Sequence, residues 1–281
     1  MTTLATREAP AEVAPAPAVG RRRRWTRLIL PAYTWAMIVY FSLPILVMIL
    51  FGFNDTQGKL NLRWQGFTLT WYRDLFAIPA LSTALRNSLF VAVISTVVTT
   101  VLGTMVGIAL GRYRFRGKGL YDLTIFSAIS APELVLGASL LSLFITVQFA
   151  RGFVTIIIAR VAFSLAFVAV TVRARVLGLD PVLEEAAQDL GADPWTTFRK
   201  VTLPLLMPGI IAGALLAFAL SVDDYVVTSF VAGQLETFPL WVYGATRIGV
   251  PPQVNVMGTL IFLGGVGIAV GNALLARRQQ G

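Results

Sequence analysis

Three carboxylates interrupt stretches of this 281-residue chain that are otherwise long and apolar: Glu133, Asp223 and Asp224. Each stretch is long enough to cross a bilayer, and ionisable groups inside a membrane are costly enough to suggest a function. Buried carboxylates can offset the desolvation of a cation that passes between helices. The sequence therefore predicts a path for a cationic cargo.

Internal pairing is a second interpretation of the same carboxylates. Arg160 also lies within an apolar stretch, where an aspartate on a neighbouring helix could reach it. Successive helical positions differ by about 100°, so Asp223 and Asp224 cannot share one narrow face. One of them could face a pore while the other pairs with a neighbouring helix, and both interpretations stay open here.

Aromatic side chains have two interpretations as well. Their faces attract cations, but in membrane proteins they also pack the bundle or line the interface. The candidates for cation contact are Trp35, Tyr40, Tyr225 and Trp241. A further aromatic group, in the predicted external segment, fits either an interfacial belt or a docking surface and consists of Trp64, Phe67, Trp71 and Tyr72.

Composition supports a membrane protein and excludes several chemistries. The chain is 56% hydrophobic and 13% charged, against about 25% charged residues in soluble domains. It has no Cys and no His, which excludes disulfides, thiol nucleophiles and histidine-based acid–base chemistry. We therefore expect no catalytic residues and no metal site. A membrane-embedded enzyme would have to depend on Asp, Glu or Ser.

Six apolar stretches predict an all-α membrane protein with six transmembrane helices. The predicted spans cover about residues 28–53, 87–110, 120–149, 153–172, 205–227 and 254–275. The first is too long for a cleaved signal peptide and predicts a retained anchor. Residues 1–27 read as a disordered tail with a basic cluster, and residues 276–281 as a second short tail.

Basic residues predict the orientation of these spans. Of the 23 Lys and Arg residues, 16 lie in the two tails and in the loops on the same side of the membrane. The positive-inside rule places that side, and both termini, in the cytoplasm. The net charge of +9 is thus a topology signal, and we expect no nucleic-acid partner.

The predicted cytoplasmic loop over residues 178–204 has the signals of two short helices. Asp180–Pro181 and Asp193–Pro194 each combine a capping residue with a proline suited to the first helical position. Gly191 fits the stop of the first helix, and Pro204 is expected to end the second. Such a helix pair has an apolar side and no lipid to cover it, so we expect either a protein partner or packing against the chain's own bundle.

This loop resembles the EAA loop of type I, binding-protein-dependent ABC importer permeases. The family pattern is EAA, three residues, Gly, nine residues, then Ile-x-Leu-Pro. The matching residues are Glu185, Ala186, Ala187, Gly191, Val201, Leu203 and Pro204, with Val in place of Ile. The resemblance implies a six-span permease in a bacterial inner membrane, with this loop as the coupling helix docked on a separate ATP-binding subunit.

Two further segments resemble the spermidine/putrescine permeases within that family. Residues 220–233 resemble their LS-x-DD-x-V-x-SF-V-x-G segment, and residues 249–255 resemble the run before their last span. The Pro132–Glu133 turn is similar to a Pro-Asp pair there, with a carboxylate that reaches one methylene further. The resemblance implies a polyamine cargo, with a substrate path that includes Glu133, Asp223, Asp224, Tyr225 and Trp35.

The resemblance also implies the partners: two ATP-binding subunits, a second homologous permease and an extracytoplasmic binding protein. ATP and Mg²⁺ would be bound by the partner, since this chain has no GxxxxGK[ST] loop. The EAA loop does not identify the cargo, so an opine, an amino-acid derivative or ferric ion stays open. A carrier driven by an ion gradient, with Glu133 and Asp224 as ion sites, is an alternative of another class.

Overall fold

A computed structural model describes residues 22–56, 61 and 63–278. Its ordered elements there are helices, apart from one isolated antiparallel bridge between Asn54 and Phe67. The helices are α1 (Arg22–Phe51), α2 (Thr70–Arg73), α3 (Pro79–Arg112), α4 (Lys118–Ser130), α5 (Glu133–Thr146), α6 (Phe153–Leu177), α7 (Val182–Asp189), α8 (Pro194–Thr197), α9 (Leu203–Asp223), α10 (Val226–Val231), α11 (Phe238–Ala245) and α12 (Pro252–Arg278). A π-helical turn, Phe198–Thr202, joins α8 to α9.

The all-α prediction is confirmed, and most predicted spans coincide with helices. Four helical segments in the described residues are long and apolar enough to cross a membrane: Ile29–Phe51, Pro79–Arg112, Phe153–Leu177 and Pro194–Asp223. The bent pair α4–α5 and the apolar part of α12 cover the other two predicted spans. The count of six and the cytoplasmic side of the termini stay predictions.

Several boundaries differ from the predicted ones. Residues 22–27 of the predicted tail belong to α1, whereas residues 1–21 and 279–281 lie outside the described residues. Helix α3 begins eight residues before its predicted span because Pro79 suits the first helical position. At about 1.5 Å per residue, its 34 residues extend well beyond a bilayer core of about 30 Å.

The predicted third span is divided into two helices. Helices α4 and α5 are bent by 105° at Ala131 and Pro132, both of which have extended backbone. Proline lacks an N–H and disfavours helical geometry in the residue before it, so it ends α4 and starts α5. The predicted third span is thus two helices, and Glu133 is the first residue of α5, directly after the turn at Pro132.

Helices α3, α6 and α9 form the centre of the bundle. Three glycines at four-residue spacing on α3 lie against α6: Gly103, Gly107 and Gly111. A Cβ on Gly107 would lie 2.7 Å from the carbonyl oxygen of Ala169, so only glycine allows this approach. Small residues at this spacing let membrane helices pack closely. Ser95 of α3 and Ser221 of α9 share a buried hydrogen bond of 3.0 Å.

The segment between α1 and α3 is organised around Asn54, which is fully buried. Its side chain donates to the Arg63 carbonyl at 2.7 Å and accepts from the Gln65 backbone N–H at 2.7 Å. The Trp71 indole donates to the Asn54 carbonyl at 2.7 Å. Trp64 is exposed, so the aromatic group is split between packing and surface roles.

Candidate coupling loop and cation site

The loop between α6 and α9 has the predicted helix pair. The Asp180 side chain accepts from the Val182 N–H at 3.0 Å, at the start of α7. Gly191 follows the end of α7 with φ +87°, the left-handed geometry that favours glycine. Asp193 caps α8, where its carboxylate accepts from the Trp195 N–H at 3.1 Å. Hydrogen bonds from the Thr196 hydroxyl, the Thr196 N–H and the Trp195 N–H lower the pKa of the Asp193 carboxyl.

One feature of the predicted loop is wrong. Pro204 does not end the second helix, because α8 continues through the π-helical turn into α9. The Leu203 N–H bonds to the Phe198 carbonyl, five residues back. This wider turn lets the helix continue through Pro204, whose ring would clash with a preceding carbonyl in an ordinary α turn. Pro204 thus lies in the first turn of α9.

The loop presents its motif residues and several apolar side chains at the surface. Glu185 and Ala186 are exposed, and Ala187 is half-buried. The most exposed apolar side chains are Leu190, at 90%, and Trp195, at 67%; Trp195 stacks on Phe198 with ring centroids 5.8 Å apart. Of the two original alternatives, a partner docked on the loop fits this exposure better than packing against the chain's own bundle.

A carboxylate outside the recognised motif attaches the loop to the bundle. The Glu184 Oε1 atom lies 2.5 Å from the guanidinium of Arg112, the last residue of α3. The same oxygen accepts a hydrogen bond from the Thr202 hydroxyl in the π-helical turn. The sequence does not predict the ion pair of Glu184 with Arg112, because no spacing rule links residues 72 positions apart. Only tertiary packing reveals that α7 is fastened to α3.

The second candidate site lies where α9 is interrupted. Helix α9 ends at Asp223, Asp224 is extended (ψ 122°), and α10 begins at Val226. Helix α10 packs against α5, where a Cβ on Gly137 would lie 2.7 Å from the Phe230 ring. The interruption of α9 and the bend before α5 therefore belong to one neighbourhood. Non-helical backbone at membrane depth is tolerated where it is buried in protein or lines a cavity.

Arg160 of α6 anchors this interruption. It is 3% exposed and forms an ion pair with Asp224. It also donates to the Thr228 hydroxyl at 2.6 Å and to the backbone carbonyls of Asp224 at 3.0 Å and Leu220 at 3.4 Å. Asp224 in turn accepts from the backbone N–H groups of Val227 at 3.0 Å and Thr228 at 3.2 Å, which caps α10.

The two aspartates therefore have different environments. Asp224 is buried in the pairing arrangement, the second of the two interpretations of the sequence. Asp223 is exposed and lines a pocket of about 520 Å³. Tyr225 and Tyr243 line the same pocket, with ring centroids 4.5 Å apart. Sequence analysis missed Tyr243, whose contact with Tyr225 depends on the position of α11.

The remaining predicted path residues lie elsewhere. Glu133 is exposed at the start of α5, where it interacts electrostatically with Arg160. Trp35 is 67% exposed on α1 and Tyr40 is 68% exposed, and neither lines the pocket beside Asp223.

Trp241 lines another pocket, of about 700 Å³, together with Trp71 and Gln253. The structure thus brings Asp223, Tyr225 and Glu133 to the region of Arg160 but leaves Trp35 apart from this pocket. No group of three or more acidic residues that could hold a metal ion occurs among the residues described.

Residues 103–279 match the family described as "binding-protein-dependent transport system inner membrane component". The chain belongs to this family. Its EAA loop and both candidate sites lie within the matched residues. The family assigns the chain to inner-membrane transport subunits, in agreement with the resemblance of the loop.

Curated relatives narrow the assignment. The chain is 39% identical over 252 residues to the spermidine/putrescine permease PotC of Escherichia coli K12, covering 89% of this chain and 95% of that protein. It is 40% identical over 247 residues to the putrescine permease PotI of the same strain, covering 84% and 87%. The chain is a permease subunit of an ABC importer and is similar to polyamine permeases; it is neither an ion-gradient carrier nor an enzyme.

Solved structures share the fold at low sequence identity. A bacterial ABC transporter that imports the acidic polysaccharide alginate superimposes with a TM-score of 0.64 at 18% identity, covering 93% of this chain and 99% of that chain. The MetNI methionine ABC transporter superimposes with a TM-score of 0.58 at 21% identity, covering 72% and 98%. Because an importer of a polyanion has this fold, the fold alone does not identify the cargo.

Proposed function

We propose that this permease subunit moves a polyamine, of the spermidine and putrescine class, into the cell. The observation that carries the proposal is the pocket beside the interruption of α9, where an exposed carboxylate, Asp223, lies next to Tyr225 and Tyr243. A carboxylate and aromatic faces together offset the desolvation of an ammonium group. The names of the curated relatives support the same cargo class.

The acids of the site favour a cationic cargo over a neutral or anionic one. Asp223 and Glu133 are both exposed near the two helix interruptions. Discontinuous membrane helices commonly form the substrate sites of transporters, because their free backbone groups and side chains face the cargo. Each amine of a polyamine is protonated at neutral pH, so successive carboxylates could hold successive amines.

The exposed loop supports the proposal that a partner subunit supplies the energy for transport. We propose that Glu185, Ala186, Ala187 and Gly191 dock in a groove of an ATP-binding subunit, which binds ATP and Mg²⁺ itself. Val201, Leu203 and Pro204 would set the connection to α9. Exposed Leu190 and Trp195 supply the apolar contact area that such docking needs. Two ATP-binding subunits, a second permease and an extracytoplasmic binding protein would complete the importer.

The test is cargo uptake by the complete importer in proteoliposomes containing ATP. Putrescine, spermidine, an opine, an amino-acid derivative and ferric ion are each presented on the cognate binding protein. We expect saturable uptake of polyamines that requires ATP and persists when ion gradients are dissipated. Uptake of one of the other solutes, with no polyamine movement, would overturn the cargo assignment while leaving the family assignment in place.

A further inference from the structure

The local sequence explains only part of why α9 stops at Asp223. The residues from Leu220 to Thr228 contain no proline and no glycine, the two residues that usually interrupt a membrane helix. The hydropathy pattern predicts a continuous helix to residue 227, yet Asp224 is extended. Asp224 is a local cap for the start of α10, but it does not satisfy the free carbonyl groups at the end of α9. The interruption therefore also needs contacts from another helix.

Arg160 supplies those contacts from α6. Ending α9 leaves backbone carbonyls without helical partners, and two of them, on Leu220 and Asp224, accept from the Arg160 guanidinium. On the other side of the interruption, Asp224 caps α10 through the Val227 and Thr228 N–H groups. One buried side chain thus joins the end of α9 to the start of α10.

The charged groups around the pocket are not equally available to a ligand. Arg160 and Asp224 are both buried and directly paired, so their charges compensate each other. Asp223 is exposed to the pocket. Glu133 and Asp223 interact with Arg160 only at longer range. The geometry leaves the Asp223 charge available to a ligand.

We propose that Arg160 is the positioning residue of the cation site. It compensates the charge of Asp224 and fixes the interruption of α9, so that Asp223 is the one carboxylate of the adjacent pair that faces the cargo. This inference deepens the proposed function and rests on it for the identity of the cargo. The claim about charge is independent of which solute moves.

The absence of cysteine from the chain allows a direct test of that charge. Thr246 is exposed and lines the same pocket as Asp223, so Thr246→Cys places a single thiol reporter there. The probes are a cationic and an anionic methanethiosulfonate of similar size, applied to the assembled importer. The ratio of their labelling rates reports the local potential, and the constant effect of neighbouring Arg247 cancels between variants.

Four variants in this background separate the roles. Asp223→Asn should lower the cationic-to-anionic ratio about 10-fold, the size of one interaction of roughly 1.4 kcal/mol. Asp224→Asn should lower it as well, because Arg160 is left uncompensated, and Arg160→Gln should raise it. The double variant Arg160→Gln with Asp224→Asn should return the ratio to within about 3-fold of the parent, because non-additivity is expected for a direct pair.

The double variant decides the outcome if either single variant fails to assemble, since a buried unpaired charge is strongly destabilising. Asn can still cap α10 and Gln can still donate to a carbonyl. An assembled double variant with the parental ratio supports the proposal. A ratio as low as that of Asp223→Asn, or an unchanged ratio in Asp223→Asn itself, would overturn it.

Transport by the same variants distinguishes this proposal from the proposed function. We expect polyamine uptake to fall at least about 10-fold in Asp223→Asn and Asp224→Asn and to recover in the double variant. A parental importer that moves no polyamine would refute the cargo assignment, whereas the labelling ratios would still decide the role of Arg160. If the parental importer takes up polyamine normally but an assembled double variant shows no recovery of uptake, only the role of Arg160 is refuted.

Discussion

The loop between α6 and α9 and the interruption of α9 are both short irregular regions, but they arise in different ways. In the loop, the caps of Asp180 and Asp193 and the positive φ of Gly191 are all encoded within a few residues of the turns they form. At the interruption, the decisive contact is made by Arg160, 64 residues from Asp224. The loop is therefore locally specified, and the candidate cation site is specified mainly by tertiary structure.

The two regions also use charge differently. In the loop, Glu185 is exposed and Glu184 pairs with Arg112. The interruption buries Asp224 with Arg160 and leaves Asp223 exposed. In each case two adjacent acids divide into one structural and one available carboxylate. Motif reading alone does not show which acid of a pair is available.

The largest expected effect comes from Glu185→Lys in the loop. The side chain is exposed, so the fold should be retained, but a reversed charge at the docking surface should reduce uptake to background. Uptake and ATP hydrolysis by the assembled importer measure this. The control is Glu236→Lys, an exposed acid outside the loop. Normal uptake by Glu185→Lys would show that the loop is not the coupling element.

Glu133→Gln should have the next largest effect, because Glu133 is exposed at the start of α5 near Arg160. Hydrogen bonds to charged groups contribute about 1.5–3 kcal/mol, so loss of the charge should reduce polyamine uptake about 10-fold or more. Uptake is measured at limiting cargo with Glu236→Gln, an exposed acid lining the other pocket, as control. Equal rates for Glu133→Gln and the parent chain would assign Glu133 a structural role.

Gly191→Ala tests local specification of the loop. Its φ of +87° costs a residue with a Cβ about 1–2 kcal/mol, so assembly with the ATP-binding subunit should weaken roughly 5- to 30-fold. Gly178→Ala is the matched control, because Gly178 has φ −89° in the same loop. Binding of the ATP-binding subunit measures the difference. If both variants bound alike, the geometry of Gly191 would not determine docking.

Asp193→Ala should have the smallest effect, confined to the start of α8. The pKa of Asp193 is lowered by its hydrogen bonds, so the ionised carboxylate stabilises the folded loop above the ordinary carboxyl pKa. That stability should be lost as the pH falls through the lowered pKa. The unfolding temperature, compared between parent and variant at neutral and acidic pH, should differ only at neutral pH. The same difference at both pH values would contradict the capping role.

Sequence reasoning predicted the features that depend on nearby residues. The caps of the loop, the left-handed glycine and the position of the bend at Pro132 all follow from local backbone chemistry. It missed two features that depend on packing, the passage of the helix through Pro204 and the Glu184–Arg112 pair. It also left open which of Asp223 and Asp224 pairs with Arg160. Arg160 was visible as a charge in an apolar stretch, but its partner could not be chosen by spacing.

The proposed importer uses ATP hydrolysed by a partner subunit to move a polyamine past Asp223. The most direct test of this proposal is the initial rate of spermidine uptake by the assembled importer with ATP, compared between the parent chain, Asp223→Asn and the control Glu236→Gln. We expect ATP-dependent uptake that falls at least about 10-fold in Asp223→Asn and stays near the parental rate in the control. Equal uptake by Asp223→Asn and the parent would show that the cargo does not depend on Asp223.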